Sequence, residues 1–183
     1  MNKKKMLCMS LVALGLLAAC GEKEVKQGRM VVPKPAEEQP VGTQQVAEQV
    51  LSQTIDWLGK TYVVTFSREA DRTRPLVDDG MGVQYYDNAI HVRIDRQDGT
   101  TFFSQTYTKD NFARFSSAET LKRRTLYNIS VYKQTPQALS LLACVSVPDE
   151  SSDDYQLLEI AIDPAGNTNI QEVVVPDKEV IEE

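Results

Sequence analysis

The sequence predicts a mainly β domain of the α+β class, an antiparallel meander that forms a barrel-like or sandwich structure with one N-terminal amphipathic helix packed on it. Three observations carry this prediction. Apolar and polar residues alternate along several short runs after Lys60. Turn residues separate these runs, and Asp98-Gly99 is the clearest case. Before the first run, apolar residues recur at helical spacing. A partly open barrel and a two-sheet sandwich both fit.

The segment from 44 to 58 is predicted to be the amphipathic helix. Its apolar stripe consists of Val46, Val50, Leu51, Ile55 and Leu58. Thr43 is suited to cap the start of this helix and Gly59 to end it. Trp57, near the end, is interpreted as a core anchor rather than a platform for a ligand.

Strands are predicted for the rest of the domain. The first is "TYVVTF", and a hairpin follows within residues 83–108, with Ile90, Val92 and Ile94 on one face and His91, Arg93 and Asp95 on the other. Ser116 followed by Glu119 matches a capping box, which predicts a short helix around 117–122. Further strands are expected at 125–133, 138–147, 155–162 and 168–175.

The strand at 138–147 is predicted to be central in its sheet. One face carries the large apolar residues Leu139, Leu141, Ala143, Val145 and Val147, and the other carries mostly small ones. Both faces could therefore be covered. We expect the large face to fill the interior and the small face to leave room for the helix at 44–58.

The N-terminus has the layout of a secretory signal peptide. Three lysines at 3–5 precede an apolar run from Met6 to Leu16, which is shorter than the roughly 20 residues of a bilayer span. Leu17-Ala18-Ala19-Cys20 then resembles the lipobox of bacterial lipoproteins, in which the cysteine is lipidated and cleavage occurs just before it. The predicted organisation is a signal peptide at 1–19, a lipid anchor and flexible tether at 20–42, one globular domain at 43–176 and an acidic tail at 177–183.

This layout predicts attachment to the cell envelope through the lipid on Cys20. Gly21 stands where an aspartate-like signal for retention in the inner membrane would sit, which favours the outer membrane and leaves its periplasmic or surface face undecided. Removal of residues 1–19 takes away three lysines and no acids, leaving 17 basic and 26 acidic residues. Such an acidic chain is not expected to bind nucleic acid, because it lacks the excess of basic residues that contacts to phosphates require. With Cys8 cleaved off and Cys20 lipidated, Cys144 remains as a buried thiol without a disulfide partner.

No catalytic motif accompanies this layout, so we expect neither an enzyme nor a cofactor. His91 is the single histidine, which leaves no ordinary zinc site, and it is interpreted as solvent-facing. The loop carboxylates are Asp78, Asp79, Asp149, Glu150, Asp153 and Asp154. They are interpreted as solvated loops rather than a calcium site. A hydrolase that uses two of them stays open.

Aromatic residues around the hairpin give the only indication of a binding surface. The candidates are Tyr85, Tyr86, Phe103 and Tyr107, with His91 and Arg93 nearby in the sequence. They could line a pocket or a docking patch. Cross-strand packing explains the same residues and is the preferred interpretation.

Three segments together resemble a family of small uncharacterised lipoproteins common in Bacteroidetes and known as a domain of unknown function. They are the lipobox with Cys20, "TYTKDNF" after a hairpin strand, and the closing "DYQLLEIAIDPAGNTNIQEVV". The resemblance implies no catalytic residues. We therefore expect a non-enzymatic envelope lipoprotein that binds a protein or a small ligand. A hydrolase of envelope glycans or peptides and a structural subunit of an outer-membrane complex are the alternatives.

Overall fold

The structure is a computed structural model that describes residues 42–149 and 152–173. The signal peptide, Cys20, residues 20–41 of the tether, Glu150 and the acidic tail lie outside the described residues. The described chain forms two four-stranded antiparallel sheets and a two-stranded ribbon. The fold is mainly β, as predicted, and it is sandwich-like without a closed barrel.

The first sheet has the strand order β1-β2-β5-β6 and the second has the order β10-β9-β8-β7. The strands of the first sheet are β1 (Gln49–Trp57), β2 (Lys60–Asp71), β5 (Asp87–Arg96) and β6 (Thr101–Tyr107). Those of the second are β7 (Thr125–Gln134), β8 (Leu139–Ser146), β9 (Tyr155–Ile162) and β10 (Thr168–Glu172). The ribbon is β3 (Val77–Asp78) with β4 (Gln84–Tyr85), and a 3₁₀ helix (Lys109–Phe115) and α1 (Ala118–Lys122) connect the two sheets.

The core fills the space between the two sheets. Its residues come from the strands, in which every second side chain points inward, as the alternation in the sequence predicted. Ile90, Val92 and Ile94 of β5 are buried, as expected for the inner face of the hairpin. The predicted central position of the 138–147 run is also confirmed, because β8 lies between β7 and β9. Its large face is fully buried at Leu139, Leu141, Ala143 and Val145.

The prediction of a helix at 44–58 is wrong. Residues 49–57 form β1, which pairs with β2 in an unbroken antiparallel register. The helical spacing was misleading because three residues of the apolar stripe are not buried: Val50 is 68% exposed, Leu51 is 48% exposed and Leu58 is 46% exposed. Only Ile55 and Trp57 point into the core, two residues apart, as a strand requires. Leu58 and Gly59, both with positive φ, form the two-residue turn into β2.

Two local details also differ from the prediction. The short helix begins one residue later than the capping box suggested, because Ser117 rather than Ser116 accepts a hydrogen bond from the Thr120 amide, at 3.1 Å. In the outer strands β6 and β7, single extra residues interrupt the pairing at Phe102, Tyr127 and Tyr132. The bulge at Tyr127 places Leu126 and Ile129 in the core together.

The two ends of the sandwich are built differently. The turn end holds four hairpin turns, at 58–59, 97–100, 135–138 and 163–167. The connection end holds the long links between strands. There the described chain also begins and ends: the Gln44 amide bonds to the Gln84 carbonyl at 2.8 Å, and the Val173 amide bonds to the Leu157 carbonyl at 3.1 Å. Irregular chain, which most often carries function, is therefore concentrated at one end.

Candidate functional site

The five predicted binding residues do not form one site. Tyr107 is buried in the core and stacks on Phe112, with ring centroids 6.2 Å apart. Burial raises the pKa of Tyr107 to about 12. Tyr85 lies in the β3–β4 ribbon, and the Arg72 guanidinium covers the Tyr86 ring at 4.6 Å. Two of the five residues are therefore held in ring packing.

His91 and Arg93 lie together on the outer face of the first sheet. The His91 ring nitrogens are 3.0 Å from the Thr106 hydroxyl and 3.3 Å from the Ser104 hydroxyl. Arg93 donates to Asp95 at 2.9 Å. The half-exposed position of His91 agrees with its interpretation as a surface strand residue.

Trp57 is a core anchor, as predicted. It is buried, and its indole N–H donates to the Thr135 carbonyl at 2.7 Å, which fastens the first sheet to the second at the turn end. Its ring centroid lies 5.9 Å from that of Tyr62 and 5.8 Å from that of Phe102. Phe103 is also buried in the core, so neither residue is available to a ligand.

Cys144 is half-buried rather than fully buried, and it is the free cysteine of the described residues. It lies on the outer face of β8, since the neighbouring residues Ala143 and Val145 take the inner face. Burial raises the pKa of its thiol, and this effect exceeds the opposing influences of Ser146 and Arg124. A raised pKa keeps the thiol protonated and unreactive at neutral pH.

The structure brings three of the predicted loop carboxylates to one open cleft of about 290 Å³. Asp79, Asp149 and Asp154 line it together with Arg123. Asp79 accepts from the amides of Met81 (2.7 Å) and Val83 (3.1 Å), and Asp154 forms an ion pair with Arg124. Across residues 42–149 and 152–173, no three His, Cys, Asp or Glu side chains are arranged to hold a metal ion.

A buried charge cluster around Asp87, at the connection end, was missed in the sequence. The Asp87 carboxylate is completely buried and lies 3.1 Å from Arg74 Nε and 3.2 Å from Lys109 Nζ. The other carboxylate oxygen of Asp87 accepts from the Thr125 hydroxyl at 2.7 Å and from the backbone N–H of Asn88 at 2.9 Å. The four donors come from four segments of the chain. A period-two pattern gives no sign that these segments meet.

An open cleft of about 290 Å³ lies beside this cluster. We call it the Leu121 cleft. Its apolar lining residues are Pro75, Leu76, Ala118 and Leu121, and its charged ones are Arg74, Lys109, Asp110 and Lys122. Arg74 also reaches Asp110 at 2.5 Å, while Asp110 keeps 62% of its side chain exposed. Two cations are thus fixed in place by Asp87, next to apolar surface.

The Leu121 cleft offers hydrogen-bond donors and apolar contact but no serine, cysteine or histidine side chain in its lining. Such a set of groups suits recognition of a small molecule that has both a polar and an apolar part. The sequence gives a signal for part of the apolar lining, because Leu121 lies in a stretch whose neighbouring residues, Thr120 and Lys122, are polar.

Within the described part of the chain, no helix has the length and apolar character needed to cross a membrane. No curated protein matches the sequence. The predicted membership of an uncharacterised family is confirmed, since residues 31–170 match the family described as a domain of unknown function, DUF4738, to which the chain therefore belongs.

Proposed function

We propose that this protein is a cell-envelope lipoprotein, anchored through Cys20, whose globular domain binds a small ligand without catalysing a reaction. The anchor is supported by the order of the N-terminal residues: Lys3–Lys5, an apolar run, two alanines and the cysteine. Gly21 supports placement in the outer membrane. Two or three acyl chains would hold the protein stably, since each buried methylene contributes about 0.8 kcal/mol.

Cys20→Ser is expected to abolish incorporation of a labelled fatty acid and to prevent cleavage before residue 20. Metabolic labelling of cells followed by gel fluorography measures the first effect, and an immunoblot that separates the uncleaved from the cleaved protein measures the second. The matched control is Cys8→Ser, which changes a cysteine inside the segment that is removed and should leave labelling intact. Fatty-acid label retained by the Cys20→Ser protein contradicts the anchor.

The Leu121 cleft is the observation that carries the binding role. Its volume lies close to the lower end of the roughly 300–1,000 Å³ range of small-molecule sites. Arg74 and Lys109 are ordered by Asp87 before any ligand arrives, so little side-chain entropy is lost on binding. The exposed Asp110 carboxylate occupies one side of Arg74, where a ligand anion could replace it.

These groups define the class of ligand. A carboxylate or phosphate would bind the guanidinium of Arg74 and approach Lys122, while a short apolar body would cover Leu76 and Leu121. An uncharged ligand would leave Arg74 with its present partners and gain only the apolar contact.

Calorimetric titration of the purified full chain with hexanoate and hexyl phosphate tests this proposal, with hexanol as the uncharged comparison. Binding of at least one anion should weaken by about tenfold in Lys122→Glu, a loss of about 1.4 kcal/mol. Lys60→Glu, at the turn end, is the matched control and should bind as the unchanged protein does. Equal affinity in the two variants, or no binding of either anion, overturns the proposal.

A hydrolase of envelope glycans or peptides is the second candidate, because Asp79, Asp149 and Asp154 share one cleft. Paired carboxylates are the groups that such chemistry uses. The local bonds of Asp79 and the ion pair of Asp154 favour a structural role for these two acids. This candidate predicts that Asp149→Asn abolishes a hydrolytic activity of the purified protein.

A further inference from the structure

Three of the four outer strands in the two sheets carry devices that discourage pairing with another strand. The β6 and β7 strands contain bulges at Phe102, Tyr127 and Tyr132. The Asn88 side chain also donates to the Leu126 carbonyl of β7, at 3.2 Å, and Trp57 donates to the carbonyl of Thr135, just after the end of β7. The short β10 receives a hydrogen bond from Arg114 at Ile170.

The fourth outer strand, β1, has none of these devices within the described residues. It runs for nine residues, Gln49–Trp57, in an unbroken register with β2. It contains no lysine, arginine or proline. No side-chain hydrogen bond between described residues reaches its backbone, and Val50 and Leu51 are exposed beside it. A long and regular edge of this kind, with Asp56 as its one charged residue, is a template for strand addition.

The sequence of β1 is complementary to itself in an antiparallel register centred on Gln53. In that register, Leu51 of one copy lies opposite Ile55 of the other, on the inner face. Ser52 lies opposite Thr54 on the outer face, and Val50 lies opposite Asp56. Asp56 is the single charge of the strand, and the two copies of it are about 20 Å apart, so like charges do not meet.

We propose that β1 pairs with β1 of a second copy of this chain and thereby forms a two-fold symmetric dimer. The first sheets of the two copies join into one continuous eight-stranded sheet with β1 strands at its centre. The second sheets lie on the same side of it, and they flank the Leu51 side chains that the single copy leaves exposed. Isologous pairing of this kind closes on itself and does not propagate into fibres.

Cysteine crosslinking tests the register of the dimer. With Gln53→Cys, the two introduced cysteines face each other at a Cα separation of about 4.5–5.5 Å, within disulfide reach. Mild oxidation of cells should give a disulfide-linked dimer on a non-reducing gel. Thr101→Cys, in the outer strand β6, is the matched control and should remain monomeric.

Charge substitutions at Gln53 distinguish loss of pairing from loss of folding, because two variants that each fail to pair with themselves should pair with each other. Gln53→Lys and Gln53→Glu each place like charges opposite each other and should abolish co-precipitation of two differently tagged copies. Co-expression of the Lys variant with the Glu variant should restore it. Failure of the Lys and Glu variants to associate with each other overturns self-pairing. A Gln53→Cys disulfide that forms only with a different protein also overturns it, and assigns the β1 edge to a strand of that protein.

Discussion

Tyr107 carries its phenol group into the core, where Phe112 packs on the ring and the hydroxyl donates to Gln105 at 3.3 Å. Tyr107 and Tyr132 both lie in runs that the sequence predicts to be strands, but Tyr107 is buried and Tyr132 is 46% exposed. The difference arises from the turn of the chain into the 3₁₀ helix, which folds Phe112 back over the end of β6. Because Tyr107 gives up water around an ionisable group, its burial has a cost that depends on pH.

Stability is therefore expected to fall at alkaline pH through Tyr107. The unfolded phenol ionises near its ordinary pKa of 10.0, whereas burial holds the folded pKa at about 12. The contribution of Tyr107 to stability is fully present below pH 10 and is lost as pH rises from about 10 to about 12, by about 2–3 kcal/mol. Urea unfolding at about pH 9 and about pH 11 measures roughly half of this loss, about 1.4 kcal/mol, because the loss is complete only above the folded pKa.

Tyr107→Phe should remove this part of the alkaline loss, because the variant has no phenol to ionise. Tyr132→Phe is the control and should keep the loss, since Tyr132 is exposed in the folded protein. An unchanged pH dependence in Tyr107→Phe would contradict the assignment.

Asp87 begins β5 and joins separate elements at the connection end. Arg74 belongs to the link after β2, Lys109 opens the 3₁₀ helix and Thr125 opens β7. One carboxylate therefore holds together a link in the first sheet, the helical connection and the first strand of the second sheet. A buried carboxylate with two cations and two further donors is costly to desolvate, and it is stable only while all of its partners are present.

Asp87→Asn is expected to lower the free energy of unfolding by about 3–5 kcal/mol, because it leaves Lys109 and Arg74 without their buried counter-charge. Chemical denaturation at neutral pH measures the loss. Asp95→Asn, which breaks the exposed pair with Arg93, should cost only a small fraction of it. Equal losses in the two variants would show that the cluster contributes no more than a surface ion pair.

The strands that bury one face could be predicted because their alternation is local in the sequence. β5 and β8 show it clearly, and both lie inside their sheets. β1 could not be predicted in the same way, because it is an outer strand in which Val50 and Leu51 are both exposed. Its apolar residues therefore do not alternate with polar ones along the sequence. The Asp87 cluster was missed because its partners are 13, 22 and 38 residues away.

At the scale of the domain, the two candidate clefts and the limits of the described chain lie at the connection end, and the turn end is closed by short hairpins. The Leu121 cleft, the cleft of Asp79 and the Asp87 cluster all lie where the links between strands are long. Substitutions that affect binding are therefore expected to fall there, whereas those at the turn end, such as Lys60→Glu, serve as controls.

The positions of residues 42 and 173, where the described chain begins and ends, also set how these strands bear mechanical load. Because residue 42 precedes β1 and Val173 follows β10 at the same end, tension between them peels β1 from β2 one hydrogen bond at a time. Tension between residue 42 and the turn end instead runs along the strands and shears all of the β1–β2 bonds together. Sequential rupture needs less force than simultaneous rupture, so the direction of pulling decides whether β1 detaches early or holds.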